Sequence, residues 1–196
     1  MKRLVFVIGI LALAAPLAMA QYSTWTSDPA HSEVDFTIRH GGVSNVHGRI
    51  GGVAATLVYN EADVTKATVT ATIDLSTVDT GVAPRDSDLK SDSFFGVADF
   101  PTATFTSTNV ARNGNKLTVA GNFTLHGVTK PVVLDVEGPS TPVQNGMDHK
   151  LHSGFSATTT ISRTAYGIGA KFPAALVGDE VKLTIELEII KQEVKP

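Results

Sequence analysis

Between Thr65 and Ser76 the chain alternates with a period of two. Ala67, Val69, Ala71, Ile73 and Leu75 share one side of the register, and Thr68, Thr70, Thr72 and Asp74 the other. This pattern suits a strand with one buried and one wet face; a helix would repeat its apolar positions every three to four residues. Seven further runs share it, over 31–40, 46–59, 102–110, 115–125, 128–138, 149–161 and 180–191. Turn signals at Asn113-Gly114 and His126-Gly127 keep connections short. Eight such strands predict an all-β chain, an extended eight-stranded antiparallel β-barrel, because closure leaves no exposed edge. A two-sheet sandwich is the alternative.

Two stretches, 81–101 and 162–179, break the alternation. The first sets Arg85, Asp86, Asp88, Lys90 and Asp92 beside Phe94, Phe95, Phe100 and Phe105, as a cap over one end of a barrel would. Short helical segments are expected near 84–95 and 162–172, with Pro84 at a helix start and Asp86 or Ser87 as its cap.

The first twenty residues read as a cleaved signal peptide. Lys2 and Arg3 precede an apolar run to Leu17, and Ala18-Met19-Ala20 supplies a small-x-small cleavage site. The apolar run is short for a membrane span. Residues 21–196 then form a single exported domain, with the periplasm as the expected compartment. Losing Lys2 and Arg3 makes it two units more negative than the whole chain's −3. An acidic domain without a basic run is a poor partner for nucleic acid or an anionic membrane surface, and no stable membrane insertion is expected. The absence of cysteine excludes disulfides, thiolate metal sites and thiol catalysis.

Small residues recur among the inward positions: Ala55, Ala67, Ala71, Ala103, Ser107, Gly121 and Ala157. An eight-stranded barrel is either filled by its side chains or holds one small ligand, and small inward residues favour a cavity. Catalysis finds little support. No Gly-x-Ser-x-Gly elbow is present, Ser32 lies on the opposite strand face from His31, and the acids at 86–92 suit a solvated turn. Of the six histidines, His31 and His40 lie about 30 Å apart along one strand. His149 and His152 point to opposite faces, and only His40, His47 and His126 have a route to meeting across strands. No metal site or cofactor is assigned. The expected lining is Phe36, Ile38, Val69, Ile73, Phe94, Phe95, Phe100, Phe105, Phe123 and Phe155. Arg85, Asp86, Asp88, Leu89, Tyr166, Ile168 and Phe172 are placed at the mouth.

Several motifs, taken in order, resemble the YceI-like family of exported bacterial lipid-binding barrels. They are Asp28-Pro29-Ala30-His31-Ser32-x-Val34-x-Phe36-x-Ile38-x-His40, Gly41-Gly42-Val43-Ser44, Asp79-Thr80-Gly81, Arg85-Asp86-x-x-Leu89-x-Ser91-x-x-Phe94-Phe95 and Phe100-Pro101-x-x-x-Phe105. The second half adds Gly121-Asn122-Phe123-Thr124-Leu125-His126-Gly127-Val128-Thr129-Lys130, Ile161-x-Arg163-x-x-Tyr166-Gly167 and Val177-Gly178-Asp179-Glu180-Val181. The resemblance implies a lipocalin-like barrel whose pore takes a polyisoprenoid or similar long-chain amphiphile, such as a quinone, polyprenyl lipid or fatty amide. It also implies a binding and transport protein rather than an enzyme, and a homodimer as in several members. The other readings are a stress-related, partner-binding barrel with a filled core, and a lipid hydrolase or isomerase. Asp88 stands where the family commonly has histidine, and Gly96 where it has aspartate.

Overall fold

A computed structural model describes residues 22–193 apart from Glu61 and Asn115; the expected signal peptide lies outside the described residues. Ten strands form in chain order: β1 (Tyr22–His40), β2 (Ser44–Ile50), β3 (Val53–Asn60), β4 (Asp63–Asp74), β5 (Thr102–Asn113), β6 (Lys116–Leu125), β7 (Val128–Glu137), β8 (Val143–Gln144), β9 (Leu151–Ser162) and β10 (Val177–Lys191). One helix, α1 (Ala83–Lys90), and 3-10 turns at Leu75–Thr77 and Thr164–Tyr166 complete the described elements.

The sheet runs β1-β3-β4-β5-β6-β7-β9-β10 and closes where β10 pairs with β1, every neighbour antiparallel. This is the expected closed eight-stranded barrel, with two differences of detail. The run read as one strand over 46–59 breaks at Gly51-Gly52. Gly52 has φ 61°, and a Cβ there would meet Asp74 Cβ at 2.9 Å. Strands β2 and β3 therefore share one barrel position, pairing with the two halves of β1. The first strand also starts earlier than expected, at Tyr22. Its alternation is hidden by a wide bulge: Ser27 pairs with Ile189 and Ser32 with Leu187, leaving residues 28–31 opposite Glu188 alone. The ring is thinnest between β7 and β9, where pairing runs only from Asp135↔Thr158 to Glu137↔Ser156.

The helix is shorter than expected. Pro84 does sit in its first turn, but Val82 is the N-cap and no side chain caps it. Asp86 instead accepts from the Thr80 amide and hydroxyl, tying the helix to the chain that enters it. Within 162–172 only Thr164–Tyr166 is helical.

Two devices fix the barrel ends. At the far end Trp25 stacks on Tyr59 at 5.8 Å, and Tyr59 meets Phe155 edge-on at 6.5 Å, closing the bore with buried aromatic rings. At the near end Arg163 is almost fully buried, 2% exposed. Nε donates to Gly178 O, Nη1 to the Ile168 and Gly169 carbonyls, and Nη2 to the Phe172 and Val177 carbonyls, all at 2.6–2.9 Å. The five N–H groups of a guanidinium are thereby matched by five carbonyls. Asp179 holds the same segment from outside, accepting from Ser162 Oγ, Thr164 N and Thr164 Oγ1.

Arg163→Met should strand five carbonyls and cost about 3–5 kcal/mol. That lowers the melting temperature by roughly 6–20 °C in a domain of this size. Arg163→Lys, with three donors on a point charge, should recover only part of the loss; full recovery by lysine would show that the fork geometry is dispensable. Hydrogen bonds from Ser162, then Thr164, hold the Asp179 carboxyl below the usual carboxylate range. A depressed folded value contributes stability above the unfolded pKa and loses it as pH falls through the folded one. Asp179→Asn should therefore cost about 1 kcal/mol at neutral pH, with the gap to wild type closing below about pH 4 in a series of melts.

Candidate functional site

Strand alternation sends one face of every barrel strand inward, and those faces enclose two abutting chambers. The deep chamber, about 120 Å³, is lined by side chains among which only Tyr59 and Thr159 carry a polar atom. Val69, Phe105 and Phe155 line it, with Ala67, Ala71, Leu134 and Ile185. The mouth chamber is larger, about 430 Å³, inside the ~300–1,000 Å³ usual for ligand pockets. Phe36, Ile38, Phe94, Phe95, Arg85, Asp88, Leu89, Ile168 and Phe172 line it. Val34, Ile73, Phe123 and Leu183 border both. The chambers form one apolar bore, open near α1 and stopped by the Trp25–Tyr59 pair.

Three residues expected at the site stand outside this lining. Phe100 turns away from the bore and packs edge-on against His126 at 4.7 Å, over Gly96 and Gly127. Tyr166 is buried behind the wall, edge-on to Phe123 at 5.8 Å, and burial raises its hydroxyl pKa. The Asp86 carboxylate is spent on Thr80. Sequence reasoning missed Arg39, His40, Val34, Ile161, Leu176 and Leu183, which do border the bore. The alternation of β1 and β10 marks Val34 and Leu183 as inward, so the signal was there. His40 continues the inward series of Val34, Phe36 and Ile38, whereas Arg39 reaches the mouth at the end of β1 against that alternation, beside the register shift between Ile38 and His40.

Gly121, one of the small inward residues, and Gly48 do not enlarge the cavity. A Cβ at Gly121 would lie 2.3 Å from Phe105 Cζ, and one at Gly48 would lie 2.4 Å from Phe36 Cζ. Each glycine accommodates an aromatic ring across the strand pair, so its missing side chain is replaced by the neighbour's. The volume comes from the alanines.

Polar groups at the mouth are largely committed. Arg85 Nε donates to Thr80 Oγ1 at 2.8 Å and Nη2 to Thr80 O at 3.0 Å, and Arg163 is held by backbone carbonyls. Arg39 donates to Asn45 Oδ1 and Gly42 O at 3.3 and 2.9 Å, and Asp88 and His40 also face the chamber. Among the described residues, no histidine bordering either chamber lies within hydrogen-bond reach of a serine hydroxyl or carboxylate. Gly96 follows the Phe94-Phe95 pair at φ 56°, a left-handed conformation that favours glycine and that aspartate tolerates.

A protein of Salmonella arizonae named YceI is 34% identical over 190 residues, covering 96% of each chain. Among solved structures, BcnA of Burkholderia cenocepacia matches with a TM-score of 0.72 and 25% identity, over 83% of this chain and 98% of that one. A polyisoprenoid-binding domain from Saccharophagus degradans matches in fold, with a TM-score of 0.62 and 18% identity, over 88% of this chain and all of its own. The family model described as the YceI-like domain matches residues 25–189: the chain belongs to the YceI-like family.

Proposed function

We propose that this barrel is a carrier, exported to the periplasm, that holds a polyisoprenoid or another long-chain amphiphile with its tail in the bore and its head group at the mouth. The observation that carries the reading is the bore itself: apolar along its length, stopped at one end and open at the other. Burying a chain gains about 0.8 kcal/mol per CH₂, so ten methylenes supply about 8 kcal/mol, the free energy of micromolar binding. No charged contact is needed for affinity. The polar residues facing the mouth, Asp88 and His40 above all, would choose the head group and set orientation. A polyisoprenoid as the tail is supported by the domain of like fold that bears that name.

The partner-binding reading with a filled core is disfavoured by the 430 Å³ chamber, which a side-chain-filled barrel would lack. A hydrolase reading finds no acid–base pair beside the bore.

Organic extraction of natively expressed protein should yield a long-chain lipid by mass spectrometry, and stripped protein should take up a polyprenol or quinone in a fluorescence titration. Empty protein that refuses both would overturn the proposal. Ile73→Trp, at the junction of the two chambers, should bar the deep one. Affinity for long chains should fall by about tenfold, the equivalent of losing roughly two buried methylenes, while short chains bind as before. Equal losses for both would place the tail elsewhere.

A further inference from the structure

The Asp28-Pro29-Ala30-His31 motif plays no part in the bore. It forms the bulge that faces Glu188, and an Asx turn shapes it, with Ala30 N donating to Asp28 Oδ1 at 2.9 Å. Leu187 points into the deep chamber, so Glu188, the next residue, points to the outer wall. There it meets His152 from the start of β9, whose Nδ1 lies 2.6 Å from Glu188 Oε1. One ligand atom from each of Asp28, His152 and Glu188 falls within 4.8 Å of the others. His31 Nδ1 lies 3.0 Å from Asp28 Oδ2 and 3.8 Å from Glu188 Oε2.

We propose that Asp28, His152 and Glu188, with His31 as a fourth ligand, bind a divalent transition-metal ion, zinc before others. Imidazole and carboxylate together suit zinc, copper or nickel; calcium and magnesium prefer oxygen alone. Zinc bonds of about 2.0–2.2 Å place tetrahedral ligand atoms roughly 3.3–3.5 Å apart; the pairs here stand at 2.6, 3.0 and 3.8 Å, so His152 and Glu188 would part and His31 and Glu188 draw closer. Only small side-chain movements are needed, and the largely exposed His31 is free to make them. The other nitrogen of His152 is already engaged, with Nε2 3.0 Å from Asp148 Oδ2 in the β8–β9 hairpin. A ligating histidine characteristically donates its second N–H to a carboxylate in this way, which fixes ring orientation and raises basicity. His152 is 6% exposed, so it is held before any ion arrives. Three carboxylates around two imidazoles also leave excess negative charge, which a divalent cation neutralises. The ion would pin the β1 bulge to β9 and β10. Nothing in this site depends on the lipid proposal, since bore and cluster occupy opposite faces of the same strands.

Zinc titrated calorimetrically into full-length, chelator-stripped protein should bind at one equivalent with micromolar affinity or tighter, and should raise the melting temperature. Calcium should not compete. The double variant Asp28→Asn/His31→Ala keeps an Asx acceptor and alters a largely exposed imidazole, so it should fold as wild type. It should weaken zinc by roughly 10–100-fold or more and lose the thermal response. No saturable uptake, equal binding of calcium, or zinc affinity unchanged in the double variant would each overturn the proposal. Retention of the extracted lipid by the same variant separates this outcome from any failure of the carrier reading.

Discussion

An antiparallel sheet with one apolar face has to bury that face, and the described residues supply neither a second sheet nor a long helix to cover it. Closing the sheet on itself satisfies the face and both edges at once, and the rest of the structure follows from that constraint. With eight strand positions the interior is wide enough that rows of alanine cannot fill it, even where Phe105 lies over Gly121 on the neighbouring strand. A cavity is what remains. The 19 residues of β1 anchor the ring, pairing with β10 along one edge and with β3 and then β2 along the other. The bulge at 28–31 lets so long a strand bend with the wall.

A closed ring still leaves two open ends, and they are treated differently. Aromatic rings stop the far end, where nothing need pass. The near end is framed by α1 and by residues 163–178, and the frame is rigid before any ligand arrives. A buried guanidinium without a carboxylate partner is tolerable only if its N–H groups are satisfied, and five carbonyls do this for Arg163. The shape of the mouth therefore does not wait on the ligand's head group. With Arg85 and Asp86 held by Thr80 and Arg39 by Asn45 and Gly42, head-group discrimination on the carrier proposal would fall to Asp88 and His40. Asp88 is also where this chain differs from the residue that the family resemblance leads one to expect.

Strands whose faces differ in polarity were legible in the sequence, because alternation reports burial directly. Position was less so. Phe100 was expected in the lining and Tyr166 at the mouth, but both lie in the irregular stretches, where periodicity assigns no face. The Trp25–Tyr59 stopper lies beyond the Asp28–His31 bulge, which interrupts the pattern that would have exposed it. Arg163 was recognisable as part of a motif, yet its carbonyl partners come from residues 168–178 and bear no side-chain signature. The outer-wall cluster was invisible for a similar reason. His149 and His152 were compared along their own strand, whereas the decisive neighbour, Glu188, comes from register across β9 and β10.

Register also sets the length of wall available to the proposed tail. From Trp25↔Lys191 to Ile38↔Val181 the β1–β10 ladder advances ten residues along β10. At about 3.4 Å per residue and a tilt of about 40°, this spans roughly 25 Å of the barrel axis. The hydrocarbon core of a bilayer is about 30 Å thick. On the carrier proposal, a long tail would find in this wall an apolar path of comparable length. The deep chamber, about 120 Å³ against about 430 Å³ at the mouth, would have to expand to take much of a long tail. The seam between β7 and β9, joined over three residue pairs, is where the ring can give most cheaply.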